Sequence, residues 1–102
     1  MTKQLTKDTA IAYREFDWED NPNETVLILI GKPYQKSDHE WCCPYRITGA
    51  GRDFSLEVCG VDGVQALQLA FFVIDSVLAD DELRLLLWGE PFLGFCHQPH
   101  TP

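Results

Sequence analysis

The sequence predicts an α+β fold: a mostly antiparallel sheet of four or five strands with one main helix packed on one face. Three observations carry that expectation. A period-two alternation runs through Trp41–Thr48 and Phe54–Cys59, with the short glycine-rich link GAGRD between them. The run TVLILI at Thr25–Ile30 has the length and the branched composition of a strand. The period then changes to that of a helix over Val61–Asp80.

The elements follow in order. Met1–Lys7 reads as a flexible tail. Thr9–Trp18 reads as a strand, with Ile11 and Tyr13 on one face and Ala12, Arg14, Phe16 and Trp18 on the other. Glu19–Glu24 (EDNPNE) is a turn cluster, because Asn and Asp bond their own backbone and Pro22 removes a donor. Both faces of TVLILI are apolar, which suits a strand covered by a helix on one side and by something else, such as another subunit, on the other. Gly31–Glu40 is a long polar connection. In the hairpin that follows, Phe54, Leu56 and Val58 are expected inward, against Tyr45 and Ile47. Pro44 lacks a donor and belongs at an edge, a bulge or the start of regular pairing.

In the helix, Asp62 is the expected N-cap, with Gln65 three positions on, as in a capping box. Val64, Leu67, Phe71, Ile74 and Leu78 form an apolar stripe that Ala66, Ala70, Val73 and Val77 widen. Small Ala70 permits close approach to the sheet. Gln65, Gln68, Asp75, Ser76 and Ala79 form the polar stripe, and Phe72 lies among them, a hint of an interface. Asp81–Trp88 reads as a short helix or, preferred, a final strand. Gly89–Pro91 is a turn, and residues 97–102 are a flexible end. The 102 residues suffice for one domain, 1–102.

Charge excludes some functions. The formal net charge is −8, from 16 acidic against 8 basic residues. With no cluster of Lys and Arg, the chain would repel nucleic-acid phosphates and anionic membranes. The first ten residues lack an apolar signal core, and no apolar run is long enough to cross a bilayer. The expectation is therefore a cytoplasmic protein whose four cysteines are free thiols.

The chemistry-bearing residues cluster around WCCPYRI. Adjacent Cys42 and Cys43 point to opposite faces of a strand, which is poor geometry for holding one metal together and differs from C-x-x-C spacing. Cys43 with His39 is the local nucleophile–base candidate and would make a small thiol-dependent hydrolase. A metal-stabilised binding module would draw its ligands from His39, Cys42, Cys59, Cys96, His97 and His100. Buried-thiol and surface-histidine roles outweigh both. Arg46 is expected to pair with Glu57 across the hairpin, or to receive a carboxylate-bearing partner. No phosphate-binding glycine loop is present, and no cofactor is expected.

The segment WCCPYRI, the helix start GVDGVQALQLA and LGF near the end resemble an uncharacterised family of small bacterial proteins with W-x-C-P-Y/F-x-I and G-V-D-x-x-Q-A-L motifs. The matching residues are Trp41, Cys43, Pro44, Tyr45, Ile47, Gly60, Val61, Asp62, Gln65, Ala66 and Leu67, with Leu93–Phe95 closing a match that spans residues 26–95. The resemblance transfers no catalytic residue. It implies an accessory role, of the kind that immunity proteins encoded beside toxins play. The residues themselves point to a non-enzymatic binding protein that forms a homodimer or acts with another protein. Its contact candidates are Phe72, Gln68, Asp75 and Arg46.

Overall fold

The computed structural model describes residues 4–79, 84–91 and 94–95. In chain order the elements are β1 (Ala12–Trp18), β2 (Asn21–Ile30), β3 (Tyr34–Ser37), β4 (Glu40–Gly49), β5 (Arg52–Gly60), α1 (Gly63–Ala79) and β6 (Leu85–Leu86). All six strands pair antiparallel in one sheet, and α1 lies across one face of it over β4 and β5. The expected α+β fold is what the chain adopts.

Strand β4 organises the sheet. One of its edges pairs with β5 along its whole length, from Trp41↔Gly60 to Gly49↔Arg52. Its other edge is shared. Glu40–Cys42 pair with β3, and Tyr45–Thr48 pair with the last four residues of β2. β2 in turn carries β1, and β1 carries the two-residue β6.

Pro44 fits this arrangement. Cys42 and Cys59 are direct partners with Cα atoms 4.0 Å apart. That is the narrow spacing of a pair that exchanges no backbone hydrogen bonds. Pro44–Glu57, two positions on, has the same character, so the missing N–H of Pro44 faces away from β5. It falls in the gap between β3 and β2, where no ladder partner is lost, and the Pro44 carbonyl on that edge accepts from Gly31 N at 2.8 Å.

The alternation sorts the faces. Phe16, Val26, Ile28, Ile30, Cys43, Tyr45 and Ile47 point towards α1 and form the core with Ala66, Ala70, Ile74 and Leu78. The β4–β5 turn is a two-residue one. Ala50 (φ 55°) and Gly51 (φ 79°) both hold positive φ, as a type I′ hairpin requires. Gly49 before it is obligatory: with φ 118°, a Cβ there would sit 2.2 Å from the Thr25 carbonyl oxygen. The helix begins as expected. Asp62 Oδ1 accepts from Gln65 N at 2.8 Å, and the Gln65 side chain accepts from Val61 N at 2.8 Å, one residue before the cap itself.

Several expectations are corrected. The polar connection 31–40 contributes β3, the sixth strand, because Tyr34 and Lys36 find a partner on β5 that local sequence does not reveal. The turn cluster 19–24 shrinks to Glu19–Asp20, since β2 already pairs at Asn21. The tail is docked from residue 4: Leu5 packs beside Gly31 and is half-buried. Leu56 shares the helix side with Phe54 and Val58 but is 57 % exposed. Val64 sits at the margin of the apolar stripe and is exposed, whereas Asp75 of the expected polar stripe is buried. Of the segment 81–88, only Leu85–Leu86 form strand, and residues 80–83 lie outside the described residues.

Burial separates the helix positions sharply enough to test. Ile74→Ala is expected to cost about 2–5 kcal/mol in urea unfolding, and Val64→Ala no more than about 0.5 kcal/mol. Equal losses would refute this assignment of the helix faces.

Candidate functional site

The face of the sheet opposite α1 carries the polar chemistry. From β4 it receives Cys42, Pro44, Arg46 and Thr48, and from β5 their partners Cys59, Glu57, Ser55 and Asp53. Arg46 takes Asp53, diagonally across the hairpin, through Nε at 2.8 Å and an Nη at 2.9 Å. Its other Nη donates to the Leu5 carbonyl at 2.8 Å. The expected Arg46–Glu57 pair is therefore not formed. Glu57 is claimed from β3 instead, by Lys36 Nζ at 2.6 Å and by the Tyr34 hydroxyl at 2.5 Å. These two hydrogen bonds, Lys36 first, hold the Glu57 carboxyl below the usual range, and the bond to Glu57 pushes the Tyr34 phenol up. The Arg46 guanidinium likewise lowers Asp53.

The N-terminal segment clasps the same face. While Arg46 holds Leu5, Lys7 pairs with Glu15 and lies 5.1 Å from the Tyr13 ring centroid. Arg46 and Tyr13 flank Leu29 on the neighbouring strands. This clasp accounts for the burial of Leu29, a large apolar side chain on the face away from the helix. The leading segment thus lies on the face of β2 that carries Leu29, while Thr25 on that face stays exposed.

The cysteines divide as strand geometry requires. Cys42 is bonded to Cys59 across the β4–β5 pair, which corrects the expectation of free thiols throughout. The direct cross-strand pairing of the two positions is the reason. Cys43 faces the core, fully buried, with Sγ 3.5 Å from the Gly31 carbonyl oxygen. Burial pushes its thiol up to about 11, so it stays protonated at neutral pH and is a poor nucleophile. His39 is exposed beside the β3–β4 turn and makes no hydrogen bond to Cys43.

For metal binding, the structure brings Cys42 and Cys59 together but adds Glu40 rather than His39. The ligand atoms of Glu40, Cys42 and Cys59 lie within 4.8 Å of one another. With the disulfide closed, neither sulfur is a thiolate, and the set is not a ligand set. Cys96, His97 and His100 lie outside the described residues. Glu40 carries no sequence signal beyond standing next to the WCCPYRI segment.

Two concavities among the described residues bear on a site. One, of about 240 Å³, is lined by Ala12, Tyr13, Arg14, Ile30, Phe71 and Phe95, with the Arg14 guanidinium 5.0 Å from the Phe95 ring centroid. It falls below the usual volume of a small-molecule site. The other, of about 520 Å³, runs between Leu5 and β5 beside Pro44, Ser55, Leu56 and Glu57. Its one carboxylate, Glu57, is already engaged. Neither places a nucleophile beside a base.

The remaining surface of note is the outer side of α1. Val64, Gln65, Gln68, Leu69, Phe72, Ser76 and Ala79 are all exposed there. Phe72 stands at its centre, 62 % exposed. The helix contains one charged residue, Asp75, and that is buried. Of the four contact candidates, Phe72 and Gln68 share this surface. Asp75 is withdrawn from it by burial, and Arg46 lies on the opposite face of the sheet.

Residues 12–96 match the family described as a domain of unknown function, DUF6968, and the chain belongs to that family. No curated protein and no solved structure matches the chain. No helix among the described residues is long and apolar enough to cross a membrane.

Two outcomes are expected. Native alkylation followed by peptide mapping should leave Cys43 unmodified until denaturant is added, and rapid labelling of Cys43 at neutral pH would contradict its burial. The Glu57 carboxyl is lowered in the folded chain. Its contribution is therefore present above the ordinary glutamate range and lost as pH falls through the lowered value. Hydrogen exchange should show the β3 amides losing protection in acid. In Glu57→Gln those amides should exchange faster already at neutral pH and change little on acidification.

Proposed function

We propose that this protein is a non-enzymatic protein-binding module that self-associates, with the outer side of α1 in the contact. The observation that carries the reading is a solvent-facing helix surface without a single charge, centred on Phe72, in a chain of formal net charge −8. Two copies of so acidic a chain repel at long range. They approach at least cost where neither presents a charge, and this surface meets that condition. Val64, Leu69 and Phe72 supply apolar area, and Gln68 offers both a donor and an acceptor, so the surface is complementary to itself. No cofactor enters this reading, and nothing in it calls for nucleic acid or membrane.

A distinct protein partner, as an accessory or immunity-like role requires, is the competing occupant. We place the protein in the cytoplasm, although the closed Cys42–Cys59 pair is a bond more usual in an oxidising compartment. Finding that pair oxidised in rapidly alkylated cells would move it to an oxidising compartment.

Native mass spectrometry across a concentration series is the test. The wild-type chain is expected to be dimeric, and Phe72→Asp to shift it towards monomer while circular dichroism and the unfolding midpoint stay unchanged. An unaltered mass distribution in Phe72→Asp removes this surface from the contact. A wild-type chain that is monomeric at every concentration gives the surface to a different protein.

A further inference from the structure

The sheet has one long open edge. β3 is four exposed residues at one margin and β6 is two residues at another, so both are too short to template much pairing. β5 runs nine residues, Arg52–Gly60, and among the described residues pairs on one side only, with β4. It contains neither proline nor lysine, the residues that natural edges use to block further pairing.

The orientation of its free groups follows from the Cys42–Cys59 pair. That pair exchanges no ladder hydrogen bonds with β4, so the backbone N–H and C=O of Cys59 point outward. By alternation so do those of Glu57, Ser55 and Asp53. Leu56, at the middle of the strand, points its side chain to the helix side, where it is 57 % exposed.

We propose that a second copy of this chain docks antiparallel along β5, with Leu56 facing Leu56 of the second copy across a two-fold axis, so that one sheet continues through both. This rests on the self-association proposed above and specifies its contact. The register is selected by charge and by length. Leu56 on Leu56 overlaps the whole strand, sets Ser55 against Glu57 of the second copy and Phe54 against its Val58, and places no carboxylate opposite another. Sliding the second copy by two residues one way sets Asp53 against Glu57. Sliding it the other way sets Glu57 against Glu57. Like charges directly opposite destabilise a pair.

The helix is placed to complete the contact. Phe71 lines the concavity with Ala12, Arg14 and Ile30 and meets Phe95, so its flank overhangs β1 and β2. Leu69 stands about 200° round the helix from Phe71, on the flank above β5, and it is exposed. Val73 shares that flank. Strands spaced about 4.8 Å apart put β5 about 2.4 Å and β4 about 7 Å from the axis. A helix lying over both is about 5 Å from the axis, so two related helices run about 10 Å apart, within packing distance. Leu56, Leu69 and Val73 of each copy then close a continuous apolar seam bordered by Phe72.

Sedimentation velocity and oxidative cross-linking test this together. Ser55→Pro removes an outward N–H and no bond to β4, so it should fold and lose the dimer. Leu56→Cys should form a covalent dimer on oxidation beyond the wild-type background. Phe54→Cys and Val58→Cys should not, because each of those residues faces the other and not itself. If Ser55→Pro fails to fold, the cross-linking pattern decides. A dimer that survives Ser55→Pro with no Leu56→Cys cross-link overturns the edge contact. If Phe72→Asp still dissolves that dimer, self-association through the helix stands without the edge. A wild-type chain that is monomeric at every concentration overturns both.

Discussion

The structure depends on β4 being held from both edges at once. Its ten residues join β5 to β2 and anchor β3, and β2 in turn carries β1 and, through it, β6. Because it is interior, its alternation must satisfy both faces. Cys43, Tyr45 and Ile47 are buried beneath the helix, and Ala66 and Ala70 of α1 belong to the same core, where small side chains let helix and sheet approach closely. Cys42, Pro44 and Arg46 do different work on the other face: a cross-strand bond, a donor withdrawn where none is needed, and an ion pair that also clasps the N-terminal segment.

That second face shows how a small chain covers a sheet with one helix. Leu29 cannot be left to solvent without losing part of the core's apolar burial. The cover is a segment of little regular structure, held by polar contacts at Arg46 and at Lys7 on either side of it. Exposed ion pairs contribute modestly each, but here they position a roof over an apolar side chain. The Lys36–Glu57–Tyr34 cluster does the same for β3, a strand that is exposed throughout and has little packing of its own.

Among the described residues, the chemistry-bearing side chains Cys42, Cys43, Arg46 and Glu57 are each taken up by a neighbour or by burial. The buried thiol is held protonated, the one carboxylate facing the larger groove, Glu57, is engaged, and the paired cysteines are closed on one another. What is left unused is surface: an uncharged helix face beside a long unpaired strand edge. These lie next to each other because α1 packs over β4 and β5.

The sequence by itself determined the helix and the core strands β1, β2, β4 and β5, the hairpin with its glycine-rich turn, the capped start of the helix, and the outward position of Phe72. Each of these is local, set by periodicity, by positive φ at the turn, or by a side chain three residues from the backbone group it caps. Only the tertiary structure decided what depends on register between distant segments. Arg46 takes Asp53 because β3 brings Lys36 and Tyr34 to Glu57. Cys42 meets Cys59 because their strands pair at that step and no other. The leading residues are held on the Leu29 face by Arg46 and Lys7, and Leu56 stays exposed although α1 packs over both β4 and β5. No composition or spacing encodes these, since each is a contact between residues whose separation along the chain says nothing of their distance in space.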